Sequence, residues 1–290
     1  MEYEAPTTLS VAEAVARLAA AGIAAPQREA RLLLAHALGR APETMLGERV
    51  PPPPGFASLI ARRAAREPLG FILERREFWS LSFSVSPATL IPRPETETLL
   101  EAALVALPRR AAVQRVLDLG TGTGCLLLAA LTEFPAAFGV GVDLVAEAAL
   151  LARRNAEALG LASRTAFLVG NWAAALGGAF DLILANPPYI ERARIPGLMP
   201  EVARFEPRSA LDGGWDGLDA YRWLLPALPR LLAPDGLAIL ELGAGGADRV
   251  ARLVEAEGLA IQALKSDLEG NSRALVLASR GHKKPFGSEG

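Results

Sequence analysis

The sequence predicts an α/β protein whose main body is a seven-stranded, mostly parallel sheet with an antiparallel last strand, preceded by a small helical domain. Three observations predict it. From residue 114 onward, short apolar runs alternate with segments of helical period, the pattern of a parallel sheet covered on both faces. The last two runs, "LAIQALKS" and "SRALVLAS", have no helix between them, so they should form an antiparallel hairpin at the sheet edge. Residues 1–75 carry helical patterns alone.

In chain order, Ser10 and Glu13 form a capping box before "VAEAVARLAAAG", which Gly22 closes. "PQREARLLLAHALG" fits a second helix, with Pro26 at its start and Gly39 past its end. "PPPPG" at 51–55 is a break, and "FASLIARRAARE" is a third helix. At 76–91 the pattern changes to alternation rich in aromatic and β-branched residues, a hairpin that links two domains. "IPRPETETLLEAALVAL" opens a helix, and the sheet region then runs to residue 280. Its strands are "QRVLDLG", "FGVGVDL", "TAFLVG", "FDLILAN", "GLAILELG" and the final two, with "LDAYRWLLPALPRLL" read as one helix after a long loop. Residues 281–290 read as a flexible tail. The helical segment 1–75 reads as a docking or structural module.

Composition narrows the function. Of 290 residues, 51% are hydrophobic, ample for a packed core, and the net charge of -2 is unlike that of an extended nucleic-acid surface. Cys125 is the single cysteine, and His36 and His282 lie far apart, so no disulfide, Cys-rich zinc site or other metal site is expected. The first ten residues do not resemble a signal peptide, and no apolar run reaches the roughly 18 residues a membrane span needs. A cytoplasmic protein without membrane partners is the expectation.

"LDLGTGTGC" follows the first strand of the sheet and precedes a helix. Gly120, Gly122 and Gly124 allow positive φ and close approach of a ligand to the backbone, and the helix behind them offers free N–H groups. Asp143, nineteen residues after Gly124 at the end of the next strand, could accept from both ribose hydroxyls of a nucleoside cofactor. Such a loop also serves a bare strand-to-helix turn. The G-x-G-x-G spacing departs from the dinucleotide fingerprint, and no lysine follows as a P-loop requires. With Asp118 two residues ahead, the segment resembles motif I of class I S-adenosylmethionine-dependent methyltransferases, with their Rossmann-like fold. That resemblance implies cofactor contacts from Gly120, Thr121, Gly122, Thr123 and Gly124, with Asp118 holding the methionine amino group. S-adenosylhomocysteine would be the product. Cys125 reads as a small residue packing at a helix start.

"FDLILANPPYI" ends a buried strand on the edge where open α/β sheets bind ligands. Pro187 and Pro188 would end strand pairing in any protein. An acceptor reading explains their neighbours as well. The nitrogen of an amide or exocyclic amine is a poor nucleophile because its lone pair is delocalised. Two neutral acceptors, Asn186 Oδ1 and the Pro187 carbonyl, could hold its two N–H groups and favour the charge that develops on methylation. Tyr189 offers a flat face for a planar group. The segment resembles the (N/D)PP(Y/F) motif of methyltransferases acting on planar nitrogens in DNA, rRNA or protein.

"LIPRPETE", "VLDLGTGTGC", "ANPPYI", "FEPRSALDGGWDGLDAYR" and "LAILELG" together are similar to the release-factor glutamine methyltransferases, the PrmC/HemK family, over nearly the whole chain. The resemblance implies N5-methylation of the glutamine in the Gly-Gly-Gln loop of class I peptide release factors. It assigns substrate contacts to Asn186, Pro187, Pro188 and Tyr189, with Arg93, Glu95 and Thr96 at the pocket mouth. "RPET" reads equally as a proline-started helix cap. It also brings Asn171, Trp172 and Asn186 to the cofactor, Trp172 on the adenine, although the residues alone fit a core tryptophan as well. Glu74 and Ser80 stand where the family often has glycine, and Asn171 where it often has aspartate. The alternatives are a DNA or rRNA amine methyltransferase, which would need a basic, aromatic recognition region, and a non-catalytic S-adenosylmethionine-binding scaffold.

Overall fold

The computed structural model describes residues 9–45, 50–174 and 176–281. The expected tail, apart from Gly281, and His282 lie outside them. The chain forms two compact units, one running to Arg75 and including Met199–Phe205, the other made of 76–198 and 206 onward.

In the helical unit, α1 (Val11–Ala20) starts on the expected capping box: Ser10 Oγ accepts from the Glu13 N–H at 3.2 Å, and Glu13 accepts from the Ser10 N–H at 2.8 Å. The helix ends where Gly22 turns with φ +72°. α2 (Pro26–Ala37) and α3 (Phe56–Ala64) pack against it through Leu18, Leu33, Phe56 and Ile60, all buried. A short α4 (Leu69–Leu73) follows Pro68 and was not visible in the pattern. Arg63 is buried in this unit. It is held by Glu29 at 2.5 Å and by Glu201, on the returning 199–205 segment, at 3.0 Å, while Arg66 binds the other Glu201 oxygen at 2.8 Å.

The second unit opens with the predicted hairpin, β1 (Arg75–Phe78) and β2 (Leu81–Ser84). Its two-residue turn places Trp79 at φ +53° and Ser80 at φ +58°, the left-handed pair that right-twisted strands require. Phe78 and Phe83 meet edge to face, with centroids 6.4 Å apart, and anchor the hairpin in the core. The main sheet comprises β3 (Arg115–Leu119), β4 (Phe138–Asp143), β5 (Thr165–Val169), β6 (Phe180–Ala185), β7 (Leu232–Glu241), β8 (Leu259–Ser266) and β9 (Ser272–Ser279). Their order is β5-β4-β3-β6-β7-β9-β8. β9 runs antiparallel between β7 and β8, so the final hairpin closes the edge as expected, with β8 outermost.

Both faces are covered, which is why the strands read as continuous apolar runs. On β6, Leu182 and Leu184 face the cluster built by α5 (Glu97–Ala106) and α6 (Cys125–Glu133), while Ile183 and Ala185 face the opposite cluster. α7 (Ala146–Ala158) follows β4. Between β6 and β7 the chain lends α8 (Pro200–Phe205) to the helical unit. The helix expected over 218–232 is broken: α9 (Asp219–Leu224), a 3-10 turn and α10 (Leu228–Leu231) follow one another, because Pro226 and Pro229 lack the N–H groups a continuous helix would use. α11 (Ala247–Ala256) completes the covering layer. Among the described residues, no helix is long and apolar enough to cross a membrane.

Candidate active site

The register Leu119↔Val142 and Leu119↔Ala185 brings the carboxyl ends of β3, β4 and β6 side by side. The glycine loop, Asp143 and Asn186 therefore share one edge, as the sequence predicts. They border a cleft of about 1030 Å³, its open mouth included. Its lining includes Asp118, Gly120, Thr121, Gly122, Thr123, Asp143, Asn171, Trp172, Asn186 and Pro188.

Gly120, Gly122 and Gly124 have φ of +77°, +54° and +79°, so their conformations favour glycine. Gly124 faces α7 rather than the cleft, and a Cβ there would lie 3.0 Å from the Cβ of Ala152. Asp143 is doubly tied: Oδ2 accepts from the Gly122 N–H at 2.8 Å and Oδ1 from the Val145 N–H at 2.9 Å. A carboxylate has about four acceptor sites, so two remain for ligand hydroxyls. Asp118 is buried and accepts from Thr121 Oγ1 at 2.7 Å. Burial pushes its carboxyl up to about 7. Trp172 packs on the core beside Gly120, and it also lines the cleft. Cys125 touches the cleft, but burial drives its thiol up to about 12, so it stays protonated and unreactive.

Asn186 sits in a chain of hydrogen bonds. Its Nδ2 donates to Thr96 Oγ1 at 3.1 Å, and Thr96 donates to Glu241 Oε2 at 2.5 Å. Tyr189 donates its hydroxyl to Glu241 Oε1 at 3.1 Å, and Tyr221 donates to the Glu241 backbone carbonyl at 2.6 Å. Because Nδ2 faces Thr96, Oδ1 is directed away from it. Burial raises the Glu241 carboxyl to about 6, against the lowering effect of Thr96, Arg273 and Tyr189.

The expected mouth residues separate. Arg93 lines the cleft and pairs with buried Glu206 at 2.7 Å. Thr96 lines the cleft as well, though only 3% exposed: it ends the 3-10 turn that runs into α5 and faces the end of β7. Glu95 does not line the cleft, nor do Pro187 and Tyr189. The Tyr189 ring instead packs in the core over Gly243, where a Cβ would lie 2.7 Å from Tyr189 Cδ2.

The stretch "EPRSALDGGWDGLD" proves to be the brace of this segment. The Ile190 N–H donates to the Leu211 carbonyl at 3.1 Å, and the Gly213 N–H donates to the Ile190 carbonyl at 2.9 Å. Gly213 and Gly217 press on the Tyr189 backbone, with Cβ positions 2.8 Å from Tyr189 Cα and 2.5 Å from its carbonyl oxygen. Ser209 and Ala210 complete one wall of the cleft. Sequence reasoning missed Glu241 as well. Its signal was an ionisable residue inside the apolar strand "LAILELG", a placement that demands partners.

The family model described as "Methyltransferase small domain" matches residues 96–199, and "PrmC N-terminal domain" matches residues 11–73. A release factor glutamine methyltransferase of Rhodospirillum rubrum is 49% identical over 91% of this chain and 82% of its own length. One from Cereibacter sphaeroides is 48% identical over 90% and 94%. The chain belongs to the release factor glutamine methyltransferase family. Its sheet unit has the class I methyltransferase fold. The catalytic domain of hMettl16, solved in complex with MAT2A 3'UTR hairpin 6, superposes with a TM-score of 0.59 at 16% identity over 79% of this chain and 84% of that one, a likeness of fold. Class I methyltransferases draw their methyl group from S-adenosylmethionine, and the cleft of this family member fits such a ligand. Gly120 and Gly122, both at positive φ, line it and allow close backbone approach, and Asp118 offers a buried carboxyl suited to an ammonium.

Proposed function

We propose that this enzyme transfers a methyl group from S-adenosylmethionine to the side-chain nitrogen of the glutamine in the Gly-Gly-Gln loop of class I peptide release factors. The observation that carries the substrate is the 49% identity, over 91% of the chain, to a relative named for it. The chemistry rests on Asn186, whose amide is oriented by Thr96 with Oδ1 on the opposite side.

In this reading Asp143 accepts from the ribose hydroxyls, Asp118 faces the methionine ammonium, Trp172 and Asn171 flank the adenine, and Thr121 and Thr123 shape the loop. The bound cofactor supplies a methyl group on a positively charged sulfur. Asn186 Oδ1 and the Pro187 carbonyl accept the two N–H bonds of the glutamine amide and aim its nitrogen lone pair at that methyl. Methyl transfer would place positive charge on that nitrogen, and the two fixed acceptors would favour it at no reorganisation cost. The proton then leaves to solvent. Neither acceptor acts as a strong base. Arg93 shapes the entrance. The Tyr189 backbone, clamped by Gly213 and Gly217, keeps the Pro187 carbonyl in place.

We assign residues 1–75 to docking of the protein substrate, 76–91 to the linking hairpin, and 92–280 to methyl transfer in the cytoplasm. Purified protein with labelled S-adenosylmethionine should label a class I release factor, and changing the acceptor glutamine to alanine should abolish the label. Label on DNA or rRNA, with none on the release factor, would overturn the substrate assignment.

A further inference from the structure

We propose that Glu241 is a positioning residue that sets which way the Asn186 amide faces, acting through the Thr96 hydroxyl. The inference rests on the functional reading above and adds a residue to it.

The argument is one of donors and acceptors. An ionised carboxylate can only accept hydrogen bonds. Thr96 Oγ1, 2.5 Å from Glu241 Oε2, must therefore spend its single proton on Glu241. What remains on Thr96 toward Asn186 is lone pairs. Asn186, 3.1 Å away, must then present its NH₂ to Thr96 and its Oδ1 to the other side. The same carboxylate takes the Tyr189 hydroxyl proton on its second oxygen. One buried charge thus orients both ends of the Asn186–Tyr189 segment.

Protonated Glu241 would undo this. A carboxylic acid can donate to Thr96, which frees the threonine proton to donate to Asn186 Oδ1. The amide then turns over and offers NH₂ to the substrate's NH₂, two donors facing one another. Glu241 is poised for such a change because burial has raised it to about 6. Among the described residues, the charged and titratable groups around it are Arg273, which favours the ion, Glu95, which opposes it, the hydroxyls of Tyr189 and Tyr221 and the thiol of Cys125, with Arg93 acting in turn on Tyr189. Tyr221 meets its backbone carbonyl. For a carboxyl raised above its ordinary value of 4.5, the orienting ion is present above about pH 6 and lost as pH falls through it. Asp118 also titrates in this region, up to about 7, so a pH profile alone is ambiguous and the variants decide.

Two readouts test the proposal. The first is the side-chain amide signal of Asn186 in asparagine-labelled protein, followed by NMR against pH. It should shift with a midpoint near 6 in the native chain and lose that titration in Glu241→Gln and in Thr96→Val. An Asn186 signal indifferent to both substitutions would overturn the inference, whatever the substrate proves to be. The second is the kcat profile on a release factor. Glu241→Gln should lower kcat by roughly 10- to 100-fold and remove the acid limb near pH 6, with KM for S-adenosylmethionine little moved. Thr96→Ser keeps the hydroxyl and should lose less than Thr96→Val, which also decides the matter if Glu241→Gln fails to fold. The double variant Thr96→Val/Glu241→Gln should be no worse than either single one, since one path is cut twice. Losses that multiply would count against a shared path. A native chain that shows the Asn186 titration yet labels no release factor would sink the functional reading and leave the orienting chain standing.

Discussion

Gly213 lies against Tyr189 so closely that a Cβ on the glycine would come within 2.8 Å of the tyrosine Cα and 2.9 Å of the Pro188 carbonyl oxygen. Both are backbone atoms and cannot swing aside. Gly213→Ala must therefore displace the Asn186–Tyr189 segment or the loop that braces it. Overpacking of this kind costs about 1–3 kcal/mol. A lower melting temperature and a fall in kcat are both expected. Native turnover in this variant would show that the loop yields without moving the acceptor.

Asn186→Ala removes one of the two acceptors proposed for the substrate nitrogen. Turnover should drop on the order of 10²-fold, the usual loss for a preorganised polar contact at a reacting group. Thermal melting should change little, because Asn186 is only half-buried and, among the described residues, its side chain makes one hydrogen bond, to Thr96. Single-turnover kinetics at saturating cofactor is the measurement, and near-native rates would remove Asn186 from the acceptor role.

Ser80→Gly should stabilise the protein. Ser80 is exposed and held at φ +58°, a conformation that costs a side-chain-bearing residue roughly 1–2 kcal/mol. Glycine relieves that strain but adds freedom to the unfolded chain, which takes back about 0.4–1 kcal/mol. The net expectation is a gain of several tenths of a kcal/mol up to about 1, read from denaturant unfolding. Trp79, its partner in the turn at φ +53°, should not be exchanged, since its indole donates to Glu133 at 2.9 Å. A destabilised Ser80→Gly would mean the turn is not the strained element it looks to be.

Binding of S-adenosylmethionine should release protons near neutral pH. Burial raises the Asp118 carboxyl from its ordinary 3.8 to about 7, so in the free enzyme it is partly protonated at pH 7. An ammonium placed beside it favours the ion and drives its pKa down. Up to about half a proton per site should leave Asp118 at pH 7, and this release should fade as pH rises and Asp118 is already ionised. Calorimetry in two buffers of different ionisation enthalpy reads this directly. Equal heats at pH 7 would place the ammonium elsewhere.

Local chemistry was the legible part of this chain. The Ser10–Glu13 capping box, the positive-φ glycines and the alternating apolar runs each act within a few residues, so the sequence displays them directly. The candidate cleft was legible to the same depth: Asp118, Asp143 and Asn186 arrive on one edge because parallel strands must point one way. What stayed hidden acts across distance. Thr96 and Glu241 are 145 positions apart in sequence. Nothing in "RPET" says its threonine is interior, and only an acid set within an apolar strand hinted at Glu241. "EPRSALDGGWDGLD" could be recognised by likeness, yet its physical task, pressing two glycines on the back of Tyr189, depends on contacts that spacing does not reveal. The broken helix at 218–232 is a different kind of miss. Pro226 and Pro229 were in plain view, and the apolar period outweighed them.

The return of residues 199–205 to the helical unit has a practical consequence for anyone who cuts or recombines this protein. A fragment beginning at residue 76 inherits Glu201 without either of its guanidinium partners. A fragment ending at 75 keeps Arg63 with one carboxylate instead of two. Chimeras that borrow the front portion of a relative should therefore be made as a two-site exchange, 1–75 together with 199–205, because the boundary that matters is set by ion pairs and not by position along the chain.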